Sequence, residues 1–227
     1  MTAMRSRIGR MAVSAVVLGT VAVASAGCGG GSSGAGKKLD PSGLVKLGDE
    51  VAAGKTTTCP VPYRMDKAAR SAGLTGHAAL MRDKDAVSAD TEKGADPTAP
   101  VAKAHGVVVY CNYTIGEQET DLTTVATRTD DPADGKDPAL SMTLPLIASR
   151  AHLPNSRLEA YFAKCLAAKP GTPVLTPSGN VAVVTLPATS GNILLMVDVV
   201  DDDAGHIALP AKSVAPLARS LAEQARW

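Results

Sequence analysis

The residues of this 227-residue chain most able to do chemistry are four cysteines, four histidines and several groups of aspartates. The densest group is the segment DVVDDDAGH, in which Asp198, Asp201, Asp202, Asp203 and His206 cluster at the end of an apolar run. Carboxylate oxygens and an imidazole nitrogen bind divalent cations, so this cluster could hold a metal, and Asp201, Asp203 and His206 are its weak candidate ligands. The solvated end of a strand has the same composition, and we expect that alternative, with no metal bound.

Other motifs lack the context that their chemistry requires. The segment GGSSG at 30–34 matches the G-x-S-x-G pattern of hydrolases, but no strand precedes it and no helix follows it. In GDEVAAGKT, five residues separate Gly48 from Gly54, where a phosphate-binding loop has four. The histidines show no zinc-binding spacing. The sequence therefore predicts no catalytic residue, no cofactor and no enzymatic activity.

The amino-acid composition and net charge argue against some classes of binding partner. Aromatic residues make up only 3% of the chain, so stacking surfaces for bases are scarce. The net charge is +1, and removal of residues 1–27, which contain three arginines and no acid, changes it to −2. Because no basic stripe is present, we expect no nucleic-acid partner.

The first 27 residues are typical of a secretion signal. A short basic segment, MTAMRSRIGR, precedes an uncharged run from Met11 to Gly27 that is rich in alanine and valine. A membrane-spanning helix needs about 20 predominantly apolar residues. This run is shorter and ends in glycine, so we expect a cleaved signal peptide over 1–27.

The segment SAGC, which ends at Cys28, resembles the bacterial lipobox. The resemblance implies that Cys28 becomes the first mature residue and carries a diacylglycerol, with acyl chains such as palmitate. Residues 28–38, rich in glycine and serine, then form a flexible tether. Ser25 departs from the pattern, which usually has leucine there. The alternative is ordinary cleavage after Ala26, which would give a soluble secreted protein that starts at Gly27.

Residues 39–227 are expected to form one extracytoplasmic α+β domain, a largely antiparallel sheet with helices packed on one face. Strands are predicted where β-branched and apolar residues concentrate. They cover 106–115, 120–129, 140–148, 180–187 and 192–200. Helical spacing predicts four helices. They cover 40–54, 66–74, 155–171 and 213–226.

Several local features refine these predictions. The strand at 192–200 is apolar on both faces, so we expect it to be central, whereas Pro145 directs the strand at 140–148 to a sheet edge. Ser156 and Glu159 predict a capping box, and Pro216 is expected in the first turn of its helix. Residues 82–105 are polar and without sustained period, which predicts a long exposed loop.

The order of these features resembles the lipoproteins of unknown function common in actinobacteria. The shared features are Cys59, a short helix MDKAARSAGL, a polar loop, a strand with YCNY, a late hairpin and a C-terminal helix with LARSLAEQ. They cover most of 55–227. Tyr113 stands where many relatives have tryptophan, and Cys165 is additional. The resemblance supplies no activity.

A secreted chain meets oxidising conditions, so cysteine pairing is expected. The resemblance implies a disulfide between Cys59 and Cys111, which both lie in extended segments. Closing a loop of about 50 residues would stabilise the fold by about 3–4 kcal/mol. Cys165 is then left as a free thiol. It is either a reactive cysteine or, as its apolar helix neighbours favour, a small core residue. A Cys111–Cys165 bond would overturn both assignments.

These features favour a lipid-anchored protein on the extracytoplasmic face of the cell membrane. Its expected role is non-enzymatic binding of an envelope protein or another envelope component. A solute-binding or sensory module is the alternative, and it requires a pocket with converging polar groups. A hydrolase whose residues meet only in the fold is a third possibility, and it requires a clustered base and nucleophile.

Overall fold

The computed structural model describes residues 39–83, 85–128, 137–199 and 211–225. The helices in these ranges are α1 (Pro41–Ala52), α2 (Met65–Ser71), α3 (Pro100–Lys103), α4 (Pro138–Arg150), α5 (Asn155–Ala167) and α6 (Ala211–Gln224). The strands are β1 (Ala78–Leu80), β2 (Val87–Thr91), β3 (Gly106–Ile115), β4 (Gln118–Thr127), β5 (Val174–Leu175), β6 (Val181–Leu186) and β7 (Asn192–Val199).

The strands form one antiparallel sheet with the order β1-β3-β4-β7-β6-β5. β2 also pairs with β3, and it lies beyond β1 along the same edge of that strand. β7 has a neighbour on each side, and its residues from Ile193 to Val199 are all buried. The prediction of a central strand at 192–200 is therefore confirmed for its described part.

Two apolar cores lie on opposite faces of this sheet. In one, α1, α2 and α6 pack on alternate residues of the strands, with Leu44, Met65 and Leu217 fully buried. In the other, α4 and α5 contribute Ile147 and Tyr161. The α+β class and the antiparallel sheet are confirmed. The helices, however, cover both faces rather than one, because the central strands are apolar on both sides.

The prediction of a strand at 140–148 is wrong. These residues lie in α4, which covers part of the second sheet face. The Asp137 side chain accepts a hydrogen bond from the Leu140 amide and caps α4. Ala139, Thr143 and Ile147 then recur every four residues and are buried. Pro145 lies inside this helix on its exposed side. The carbonyl that this proline leaves unbonded can therefore be hydrated, which limits the cost of the proline.

Residues 82–105 contain more regular structure than the predicted loop. They include β2, a 3₁₀ turn at Glu92–Gly94 and α3. Glu92 ties this segment to the sheet, since its carboxylate contacts both His105 and Arg128. Arg128 also donates from Nε to the His105 carbonyl. The segment is thus held in place beside β3.

Two predictions about the first turns of helices are wrong. α5 begins after Pro154, and no side chain caps it, so Ser156 and Glu159 form no capping box. α6 begins at Ala211, which places Pro216 inside the helix rather than in its first turn. The apolar stripe of each helix, which faces the core, outweighs these local signals.

The Cys59–Cys111 disulfide is confirmed, with the two Cα atoms 5.8 Å apart. It joins the segment between α1 and α2 to the middle of β3. Cys165 is free and 3% exposed, and it lies with Tyr161 in the core beneath α5. The burial raises the pKa of its thiol to about 11, which is the environment of a structural cysteine.

Candidate functional site

The residues singled out by the sequence divide between the described and the undescribed parts of the chain. Cys28, Asp201, Asp203 and His206 lie outside the described residues, so lipidation and metal binding there stay predictions. Within the described ranges, no three histidine, cysteine, aspartate or glutamate side chains meet in a group that could hold a metal. Those ranges also include no helix with the length and apolarity needed to span a bilayer.

The structure instead reveals a groove on the sheet face that carries α4. Its floor is formed by Val108, Tyr110 and Asn112, which alternate along β3 and therefore point to one face. Strand register places Ser88 beside Tyr110 and Asp90 beside Val108. The segment that follows β2, together with Ala52 of α1, borders one end of this groove, Asp85 and Ser88 border the other end, and α4 lines both.

α4 faces the groove with Met142, Leu146 and Arg150, which are four residues apart and so lie on one side of the helix. The groove comprises two cavities that share Tyr110. The wider cavity, beside Met142, has a volume of about 470 Å³. The narrower one, beside Arg150, has a volume of about 290 Å³. Together they have the size of a small-molecule binding site.

A buried pair of acids lies at the narrower cavity. Asp121 of β4 and Asp198 of β7 are directly opposite in the antiparallel register, and Asn112 of β3 is the next residue in the same row. Asp121 is 8% exposed and Asp198 is 1% exposed. The guanidinium of Arg150 bridges them, with Nη2 3.0 Å from Asp121 Oδ2 and Nε 3.3 Å from Asp198 Oδ2. The Arg150 carbonyl accepts a hydrogen bond of 2.8 Å from the Asn180 amide.

This arrangement leaves one negative charge uncompensated. Two carboxylates share one guanidinium, and among the described residues no hydrogen bond reaches Asp121 Oδ1 or either oxygen of Asp198. Burial raises the pKa of Asp198 to about 7, and the charges of Asp121 and Glu119 add to the rise while Arg150 opposes it. Burial also raises the pKa of Asp121. Near neutral pH, Asp198 is therefore about half protonated.

The rest of the groove adds acidic groups. Asp85 lines the narrower cavity, and Asp90 and Asp96 line the wider one, all three exposed. The Tyr110 hydroxyl donates to Asp90 Oδ2 at 3.1 Å. Of the described residues that line the two cavities, only Arg150 is a cation. The groove therefore attracts positive charge and repels anions.

Asp121 and Arg150 were not predicted as site residues from the sequence, and Asp198 was considered only as part of the acidic cluster that follows the apolar run. A signal was present, because an aspartate inside an apolar strand such as NILLMVDVV is rarely fully buried without a partner. The pairing of this aspartate with Asp121 depends on the register between β4 and β7, which the sequence does not show. No family model, curated protein or solved structure matches the chain.

Proposed function

We propose that the protein is a lipid-anchored binding module on the extracytoplasmic face of the cell membrane, and that the groove beside α4 holds a small ligand. The observation that carries the proposal is the convergence of polar groups around the buried Asp121–Asp198 pair at the floor of the groove. A small-molecule site typically combines an apolar cleft with a few fixed polar groups. Here Met142 and Val108 supply apolar surface.

A small ligand is favoured over a docked protein. Among the large apolar side chains of the described residues, only Leu166 is exposed, at 46%. Interfaces with protein partners usually present a contiguous apolar patch. Binding is also favoured over catalysis, because both side-chain oxygens of Asp198, the acid that holds a proton near neutral pH, are inaccessible to solvent and hence to a substrate.

Two features support the extracytoplasmic location. The lipobox-like SAGC segment places Cys28 where lipid is attached, followed by a glycine- and serine-rich tether. The disulfide Cys59–Cys111 is the kind of bond that forms and persists outside the cytoplasm.

The anchor is tested by expressing the full-length protein with its leader in a bacterium and separating membranes from soluble material. We expect the wild-type protein in the membrane fraction, with mass spectrometry showing a diacylglycerol-modified Cys28 as the first residue. Cys28→Ser should move the protein to the soluble fraction or leave the leader uncleaved. Ser25→Leu, which completes the lipobox pattern, is the matched control and should stay lipidated. An unmodified wild-type start at Gly27 would refute the anchor.

Binding in the groove is tested by thermal unfolding of the full-length protein in non-ionic detergent with a panel of amines, amino acids, sugars and carboxylates. Ser88 is exposed on the groove floor, so Ser88→Trp should fill the narrower cavity. Ser156→Trp, at an exposed position of α5, is the control. We expect at least one class of compound to raise the melting temperature of the wild type and of Ser156→Trp, but not of Ser88→Trp. A panel that never distinguishes Ser88→Trp from the control would contradict binding in the groove.

A further inference from the structure

We propose that the ligand of the groove is an organic cation, a primary ammonium or guanidinium group on an apolar chain, and that its binding expels a proton from the Asp121–Asp198 pair. The cationic head lies in the narrower cavity beside Asp121 and Asp85, and the chain extends into the wider cavity. The inference rests on the proposed function and adds the charge of the ligand and the coupling to a proton.

The described side chains that line the narrower cavity carry an excess of negative charge. Asp121 and Asp198 together exceed the charge of Arg150 by one, and the nearby carboxylate of Asp85 adds to the excess. An anion that approached Arg150 would find Nη2 and Nε directed at carboxylates, with the second negative charge behind them. A cation is attracted by every uncompensated group of this cavity.

The hydrogen bonding of the Asp121–Asp198 pair also points to a donor group on the ligand. Asp121 Oδ1 and both oxygens of Asp198 are buried and accept no hydrogen bond among the described residues. Buried acceptors in folded proteins nearly always have a partner, so each exception requires an explanation. In the proposed complex, the half-exposed Arg150 side chain moves aside so that a ligand N–H donor reaches Asp121. Asp198 lies deeper and acts through its charge rather than by contact.

An organic cation fits this site better than a metal ion. Calcium takes six to eight oxygen ligands and zinc takes about four ligands. The described residues offer no group of three acidic, histidine or cysteine ligands. An ammonium group needs only a few acceptors, and the adjoining cavity provides apolar contacts for a chain from Val101, Val108 and Met142.

The surroundings of Asp198 explain why it holds a proton in the empty site and releases it when a cation binds. α4 presents Arg150 to it, β4 presents Asp121 and Glu119, and the paired position of β6 carries an apolar residue. Among the described residues, the other ionisable side chains that line the cavity are Asp85 and Tyr110. Because the pKa of Asp198 is about 7, the empty site holds a proton below neutral pH. A bound cation stabilises the charged carboxylate, so the proton leaves.

The test is calorimetric titration of the full-length protein in non-ionic detergent with hexylammonium, hexylguanidinium and 1,6-diaminohexane, and with hexanol and hexanoate as neutral and anionic matches. We expect at least one cation to bind at pH 8 and at least tenfold more tightly than hexanol, and hexanoate not to bind. The dissociation constant should rise about tenfold from pH 8 to pH 6, because the fraction of charged Asp198 falls by about that factor.

Variants separate the parts of the proposal. Asp198→Asn should abolish the pH dependence of cation binding, and Asp121→Asn should weaken the binding itself. Glu159→Gln, an exposed acid on α5, should change neither. Ser88→Trp should block binding.

The possible failures are distinguishable. If neutral or anionic compounds bind in a manner that Ser88→Trp blocks, the groove is a binding site but the inference of a cation is overturned. Cation binding that does not depend on pH overturns the proton exchange. If Ser88→Trp alters the binding of no compound, the proposed function itself fails.

Discussion

Asp198 should make the protein less stable as the pH rises, and replacing it by asparagine should remove this effect. Burial raises its pKa from the ordinary value of 3.8 to about 7. The folded state therefore holds this proton more tightly than the unfolded state, and the stability conferred below about pH 4 is lost as the pH rises toward 7. A pKa shift of about three units corresponds to a loss of about 4 kcal/mol in the free energy of unfolding by pH 8. Since Asp198 is 1% exposed, solvent screening does little to reduce this value.

The assay is urea unfolding of full-length wild type and Asp198→Asn, followed by circular dichroism at pH 5 and pH 8. The variant keeps the size of the side chain, and Asp121 still pairs with Arg150. The difference in the free energy of unfolding between the variant and the wild type should be roughly 3 kcal/mol more favourable to the variant at pH 8 than at pH 5. Glu159→Gln should show no such difference. An equal effect of Asp198→Asn at both pH values, or a loss of stability at pH 8, would refute the reasoning.

Three further predictions concern packing and cysteine chemistry. Gly48→Ala should destabilise the fold by about 1–3 kcal/mol in urea unfolding, because the new Cβ would lie 2.2 Å from Val107 Cγ2. Replacing Cys59 and Cys111 together by serine should cost about 3–4 kcal/mol in the same assay, since the bond closes a loop with a sequence separation of 52. Cys165 should resist iodoacetamide in the folded protein and react after unfolding, as mass spectrometry would show, because it is buried and its pKa is raised.

Each of these predictions has a control. Gly43→Ala in the same helix places its Cβ in ordinary contact with Asp40 and should be nearly neutral. A reducing agent should lower the stability of the wild type but not that of the double serine variant. Equal effects of Gly48→Ala and Gly43→Ala, or reduction that leaves the wild type unchanged, would show that the packing or the disulfide has been misjudged. Rapid alkylation of Cys165 in the folded protein would contradict its burial.

Four of the seven strands in the described residues, β3, β4, β6 and β7, could be predicted because β-branched and apolar residues concentrate in them. β3 and β7 are apolar enough to identify from sequence, and β7 has no polar face, which correctly placed it in the interior. α4 could not be identified in this way. Its buried stripe contains Thr143, which weakens the apolar period, and Pro145 argues locally against a helix. Because α4 was predicted as a strand, no helix was available to cover much of the second sheet face, and helices were expected on one face only.

The candidate site could not be predicted for a different reason. Asp121, Arg150 and Asp198 lie in three elements that are far apart in the chain, and they meet only through the register of β4 with β7 and the packing of α4. No local spacing of residues in the sequence indicates that these three side chains are in contact. The Cys59–Cys111 pair is equally distant, yet it was predicted because the resemblance to actinobacterial lipoproteins implied the pairing.

The most direct test of the account is a titration of the isotopically labelled full-length protein with hexylammonium, hexylguanidinium and 1,6-diaminohexane in turn, at least one of which should bind, followed by nuclear magnetic resonance. Binding in the groove predicts saturable shifts of the Ser88, Tyr110 and Asn112 amides and of the Arg150 Nε–H signal, all of which Ser88→Trp should suppress. Shifts that are absent, that do not saturate, or that are largest on the α2 and α6 face of the sheet would contradict the account.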